Sequence, residues 1–139
     1  MHATHLDEGE IAGIARCGAT VALCPTTEAN LGDGIFPLRA YLDAGGAWGI
    51  GSDSHISVSP VEELRWLEYG QRLVTRTRTV CADARTAAVG EVLLRGVERS
   101  AAASSGVAIG ALAAGNRADW IVLAADAPEL AARAAGNIL

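Results

Sequence analysis

Helical spacing of apolar residues and short solid apolar runs take turns along this chain. Asp7 followed by Glu10 forms a capping-box pattern, and Ile11, Ile14 and Ala15 then share one helical face until Gly18 stops it. Thr20-Val21-Ala22-Leu23-Cys24 is an apolar run of strand length, closed by Pro25. Residues 26–34 are polar, contain Gly32 and Gly34, and read as a loop longer than a simple connection requires. Pro37 starts a second helix through Leu38, Ala40, Tyr41 and Leu42, and Gly45-Gly46 ends it. Residues 47–51 form the next strand. Pro60 then opens a longer helix running to about Leu73, with Val61, Leu64, Leu67 and Trp66 as its apolar positions. On that helix Glu62, Glu63, Arg65 and Glu68 are expected to face water.

The remainder is less regular. Residues 75–85 read as a polar loop, residues 86–103 as one or two helices interrupted near Gly96, and residues 106–116 as a glycine-punctuated stretch. Ala118-Asp119-Trp120-Ile121-Val122-Leu123 has the composition of a strand, and residues 128–135 predict a short terminal helix. Helix, strand, helix, strand with short links is the signature of βα units around a parallel sheet. Two parallel strands and three helices cannot bury both faces of such a sheet. The pattern is therefore expected to be the last portion of something larger. No internal repeat or linker divides it.

Composition narrows the function classes. Of the 139 residues, 50% are hydrophobic and 19% charged, which predicts a globular chain with one core. A net charge of −5, with no basic stripe interleaved with aromatics, argues against nucleic-acid binding. Arg72, Arg76, Arg78 and Arg85 read as a solvated helix end and loop. Cys17, Cys24 and Cys81 are odd in number and lack CxxC spacing, which favours free thiols in a reducing compartment. The polar N-terminus is no signal peptide, and the uncharged run at residues 100–116 is too weakly apolar to span a bilayer. A cytoplasmic protein with no membrane partner is expected.

The candidate chemistry is concentrated in Trp48-Gly49-Ile50-Gly51-Ser52-Asp53-Ser54-His55. A buried strand ends there in glycine and presents an acid, two hydroxyls and an imidazole, at the place where parallel sheets put their chemistry. Asp53 is the candidate working carboxylate, although capping of the next turn would also explain it. His2 and His5 form an HxxH pair ahead of the first helix, a weak metal signal by itself. His2 and Asp53 would share one face of a parallel barrel. Zinc lowers the pKa of water, a carboxylate accepts its proton, and an imidazole orients and polarises it. Thr26, Thr27, Glu28 and Asn30 would line the same mouth, or else reflect ordinary turn chemistry.

Several stretches together resemble formimidoylglutamate deiminases of the amidohydrolase superfamily. They are His2-Ala3-Thr4-His5-Leu6-Asp7, the loop after Cys24 through Asn30-Leu31-Gly32-Asp33-Gly34 to Pro37, Gly49-Ile50-Gly51-Ser52-Asp53-Ser54-His55, and the helix Glu62-Glu63-Leu64-Arg65-Trp66-Leu67-Glu68-Tyr69-Gly70-Gln71-Arg72-Leu73. The stretch from Gly110 to Leu123 is similar to the superfamily's return to a small β-domain. The resemblance implies units six to eight of a (β/α)8 TIM barrel over residues 1–105 and the start of a composite β-domain over residues 106–139. It implies His2 after barrel strand six and Asp53 after strand eight. The implied reaction converts N-formimidoyl-L-glutamate to N-formyl-L-glutamate and ammonia. Asp53 would bind zinc and take the water's proton, while His2 would hold the water and stabilise the developing tetrahedral centre, with His2 also a candidate further zinc ligand. His5 would be structural, and His55 and Ser54 neighbours without a role.

The family's HxH pair after the first barrel strand and its HxxE segment after strand five are expected to be missing, since the resemblance starts at unit six. Catalytic zinc usually takes three protein ligands, so the chain by itself is expected to be inactive. The expected partners are a small-molecule substrate and either another copy of the chain or a complementary N-terminal half. Three alternatives stay open: a guanine deaminase-like activity, a non-catalytic self-associating chain, and an adventitious metal cluster of His2, His5, Asp53 and His55.

Overall fold

Helix α1 (Glu8–Arg16) begins where the capping box places it: Asp7 Oδ1 accepts from Glu10 N at 2.8 Å, and Glu10 Oε2 accepts from Asp7 N at 2.9 Å. Two of the orphan amides that any helix start leaves are thereby satisfied. In this computed structural model, which describes residues 1–85 and 87–133, Ile11 turns inward from α1 against a two-stranded parallel sheet. Strand β1 (Thr20–Leu23) pairs with β2 (Ala47–Ile50), Thr20 opposite Ala47 and Leu23 opposite Ile50.

The crossover between the strands contains two helices, α2 (Pro25–Leu31) and α3 (Leu38–Asp43). Tyr41 on α3 is fully buried, and its hydroxyl is within hydrogen-bond reach of Ala19 O (3.0 Å) and Ala47 O (3.1 Å). One phenol thus ties the starts of both strands. Phe36 meets the Tyr41 ring edge-on at 5.3 Å, a favoured aromatic geometry. Helices α4 (Pro60–Thr75) and α5 (Val89–Ser105) complete the core, which gathers Leu67 and Leu93 around Val21, Leu23, Leu38 and Trp48.

Several expectations need correction. The polar stretch after Cys24 is helix α2, not a loop. Proline lacks only an amide that a helix start would orphan anyway, and Gly32 closes the helix at φ 73°. On α4, Glu63 and Glu68 are 1% and 2% exposed instead of facing water, while Val61 and Trp66 are exposed. Polar periodicity placed those acids outside; tertiary donors hold them inside. Helix α5 runs through Gly96 without interruption. Residues 118–123 form no strand, and Trp120, Ile121 and Val122 are exposed. Their composition suits a strand, but no ladder partner stands beside them among the described residues. The predicted terminal helix is a single 3-10 turn at Pro128–Leu130; its last residues, like residue 86, lie outside the described residues. Among the described residues no helix is long and apolar enough to cross a membrane.

Gly96 lies under the Trp48 indole. A Cβ there would come within 2.6 Å of the ring, and Trp48 is 2% exposed with its backbone N–H bonded to Ser100 Oγ. Gly96→Ala is therefore expected to destabilise the chain by about 1–2 kcal/mol, overpacking outweighing the ~1 kcal/mol gain in helix propensity. Urea denaturation reads this directly. A raised midpoint would show that the indole can move.

Candidate active site

Both strands run their carboxyl ends toward one point. Leu23 O accepts from Gly51 N at 2.9 Å, so the Leu23 carbonyl faces β2. Carbonyl directions alternate along a strand, so the Ala22 carbonyl faces the other way, and there it accepts from His2 N at 2.9 Å. His2 is held beside the outer edge of β1, as a neighbouring strand end would be. Cys24 follows β1 directly, and Asp53 lies two residues past Gly51. His2 and Asp53 take left-handed backbone, φ 63° and 46°, which non-glycine residues adopt at some cost and which clusters at functional sites. Ser52 O, accepting from His55 N at 3.1 Å and from Thr27 Oγ1 at 3.1 Å, fixes the turn that carries Asp53.

His2 Nε2 stands 3.6 Å from Asp53 Oδ2. That is too long for a direct hydrogen bond and suits a third group shared between them. The other ring nitrogen, Nδ1, lies 3.2 Å from Glu28 Oε1. Glu28 is 3% exposed, and the same oxygen accepts from Cys24 N at 2.8 Å. A carboxylate only accepts, so Nδ1 is the donor in this contact, and Nε2 is the nitrogen that faces Asp53. Glu63 anchors this assembly from beneath: its Oε2 accepts from Thr26 N at 3.0 Å and its Oε1 from the Thr26 hydroxyl.

Cys24 is the third side chain of the cluster. The Cys24 thiol is pushed up to about 11, first by burial and then by the charges of Asp53, Glu28 and Glu63, with a backbone hydrogen bond at Gly51 opposing. Donor atoms of His2, Cys24 and Asp53 all lie within 4.8 Å of one another. Nitrogen, sulfur and oxygen donors at this separation fit a divalent ion of the zinc type.

The remaining candidates sit elsewhere. His5 and Ser54 are exposed, and the His55 Nδ1 accepts from Ser57 N at 3.2 Å, away from the cluster. His5 therefore packs into no core, and the four-residue cluster of His2, His5, Asp53 and His55 does not assemble. Thr26 and Thr27 are buried supports instead of mouth residues, and Asn30 is exposed. The sequence marks Cys24 only as a free thiol, and Glu28 as a mouth or turn residue and not as the partner of His2. The signal that could have found Cys24 was its place immediately past a strand, the same argument that singled out Asp53.

A parallel α/β arrangement with a donor cluster past the strand ends is the class of protein that this geometry defines. Residues 1–136 match the amidohydrolase family model, and the chain belongs to that family. It is 52% identical over 131 residues to a formimidoylglutamate deiminase of Pseudomonas aeruginosa, covering 94% of this chain. It is 33% identical over 132 residues to a 5-methylthioadenosine/S-adenosylhomocysteine deaminase of Natronomonas pharaonis, covering 93% of this chain. The chain spans 29% of the length of each. Among solved structures, an amidohydrolase from Brucella melitensis superposes with a TM-score of 0.67 at 47% identity, over 69% of this chain and 21% of that one.

Proposed function

We propose that this chain is the carboxyl-terminal barrel portion, units six to eight, of a formimidoylglutamate deiminase-type hydrolase. Residues 1–105 would belong to the barrel and residues 106–139 to the return toward a small β-domain. The observation that carries the reading is the 3.6 Å approach of His2 Nε2 to Asp53 Oδ2 across the strand ends. The 52% identity to the deiminase, against 33% to the adenosine-type deaminase, favours a linear amidine over a heterocycle. The bond from His2 N to Ala22 O supports a strand position ahead of residue 2.

Asp53, with His2 as a further donor, would hold a divalent metal, which would supply Lewis-acid charge stabilisation and lower the pKa of water. Asp53 takes the proton of the attacking water and passes it to the leaving nitrogen. His2, its Nδ1–H fixed on Glu28, keeps Nε2 aimed at the reacting centre. The water oxygen bonds to the amidine carbon, and the C=NH nitrogen takes one water proton through Asp53. It takes the second from the new hydroxyl as the carbonyl forms, and the C–N bond breaks to release ammonia. Zinc is the metal that this donor set suits best.

The test is a chimera in which this chain replaces the corresponding segment of the Pseudomonas aeruginosa deiminase. Ammonia release from N-formimidoyl-L-glutamate is expected from the chimera and not from the chain alone. A folded chimera that is silent on this substrate, or that prefers 5-methylthioadenosine, would sink the proposal.

A further inference from the structure

We infer that Cys24 is a metal donor, and that His2, Cys24 and Asp53 form a three-donor site which takes a zinc-type ion within this chain alone. The inference concerns the isolated chain and does not depend on the deiminase reading. The family resemblance offers only Asp53 and His2 as ligands in this chain, fewer than the three that catalytic zinc usually takes. The fold brings the Cys24 sulfur to within 4.8 Å of both other donor atoms.

Position and charge point the same way. Cys24 is 3% exposed at the carboxyl end of β1, so its sulfur has few alternatives to the cluster. Glu28 and Glu63, each 3% exposed or less, add negative charge around it. A buried thiol among carboxylates is an unfavourable arrangement for another anion and a favourable one for a divalent cation. On binding, the thiol releases its proton to solvent and the thiolate takes the metal, as structural and catalytic cysteine ligands do. Glu28 holds the far nitrogen of His2 at 3.2 Å, the outer-sphere partner that metal-bound imidazoles commonly have. The set leaves a fourth tetrahedral position open. With His2 committed to the ion it no longer orients water, and binding without turnover is expected.

Cobalt(II) is the probe. Titrated into the full chain, it is expected to bind one ion per chain with visible d–d bands of tetrahedral type and a near-ultraviolet thiolate-to-cobalt charge-transfer band. Cys24→Ser should remove the charge-transfer band, whereas Cys17→Ser and Cys81→Ser should keep it. Cys17 is exposed, and Cys81 is fully buried against Glu68. Zinc should displace the cobalt, and His2→Ala or Asp53→Asn should weaken binding at least tenfold. Because Cys24→Ser could disturb the core, a cadmium NMR shift of the unaltered chain gives a second reading of sulfur in the coordination sphere. Absence of metal binding, binding without sulfur, or a charge-transfer band that survives Cys24→Ser each overturns the assignment. Binding without sulfur would leave the deiminase reading standing. A silent chimera with an intact charge-transfer band would do the reverse.

Discussion

Asp53→Asn in the chimeric deiminase is expected to lower kcat by roughly 10²–10⁴-fold, the range a positioned general base supplies. Asparagine is the informative replacement. Asp53 holds φ 46°, and asparagine tolerates that left-handed backbone where alanine would be strained. The amide preserves size and turn geometry but cannot accept the water's proton or carry the negative charge that a divalent ion requires. KM should change far less than kcat, because the group acts on the reacting water and not on the glutamate end of the substrate. Circular dichroism should match the parent. A variant that keeps activity within threefold would remove Asp53 from the machinery and with it the central claim about this site.

Glu68→Ala is expected to cost about 3–5 kcal/mol, a large part of the ~5–15 kcal/mol that stabilises a typical domain. Glu68 is 2% exposed; its Oε1 accepts from Arg72 Nε at 2.6 Å and Val80 N at 3.0 Å, and its Oε2 from Cys81 N at 3.0 Å. Alanine leaves two loop amides and a guanidinium without their acceptor, and the loop after α4 loses its anchor. Burial alone would raise the carboxyl's pKa, but hydrogen bonds from Cys81 and Arg72 outweigh it and hold it below the ordinary 4.5. A depressed folded-state pKa means the stabilisation is present above the unfolded value and is lost as pH falls through the folded one. The unaltered chain should therefore lose stability progressively below about pH 4.5. Glu68→Gln, which keeps one acceptor and cannot titrate, should be intermediate at neutral pH and flatter in acid. Urea midpoints across pH decide this. A Glu68→Ala midpoint equal to the parent's would show that the carboxylate is a bystander.

Much of the frame was legible because its signals are local. The capping box at Asp7 and Glu10, the apolar runs that became β1 and β2, and the prolines at the starts of α3 and α4 act through nearest neighbours along the chain. Helix α2 was missed because its start is satisfied from a distance, by the Glu63 carboxylate 37 positions away from Thr26. The strand expected at residues 118–123 failed for the converse reason. Val, Ile and Trp favour a sheet, but a strand forms only where a partner offers its ladder.

The sequence by itself determined the order of helices and strands, the placement of Asp53 past a strand end, and the family resemblance. Those depend on hydrophobic period, turn residues and motifs, all of which are written along one dimension. Only the tertiary structure decided that His2 meets Asp53 at 3.6 Å, that Glu28 fixes the imidazole, and that Cys24 joins them. It also decided that Glu63 and Glu68 lie inside. A carboxylate's preference for water is reversed only when several donors converge on it, and convergence is a property of the fold in three dimensions, invisible to spacing along the chain.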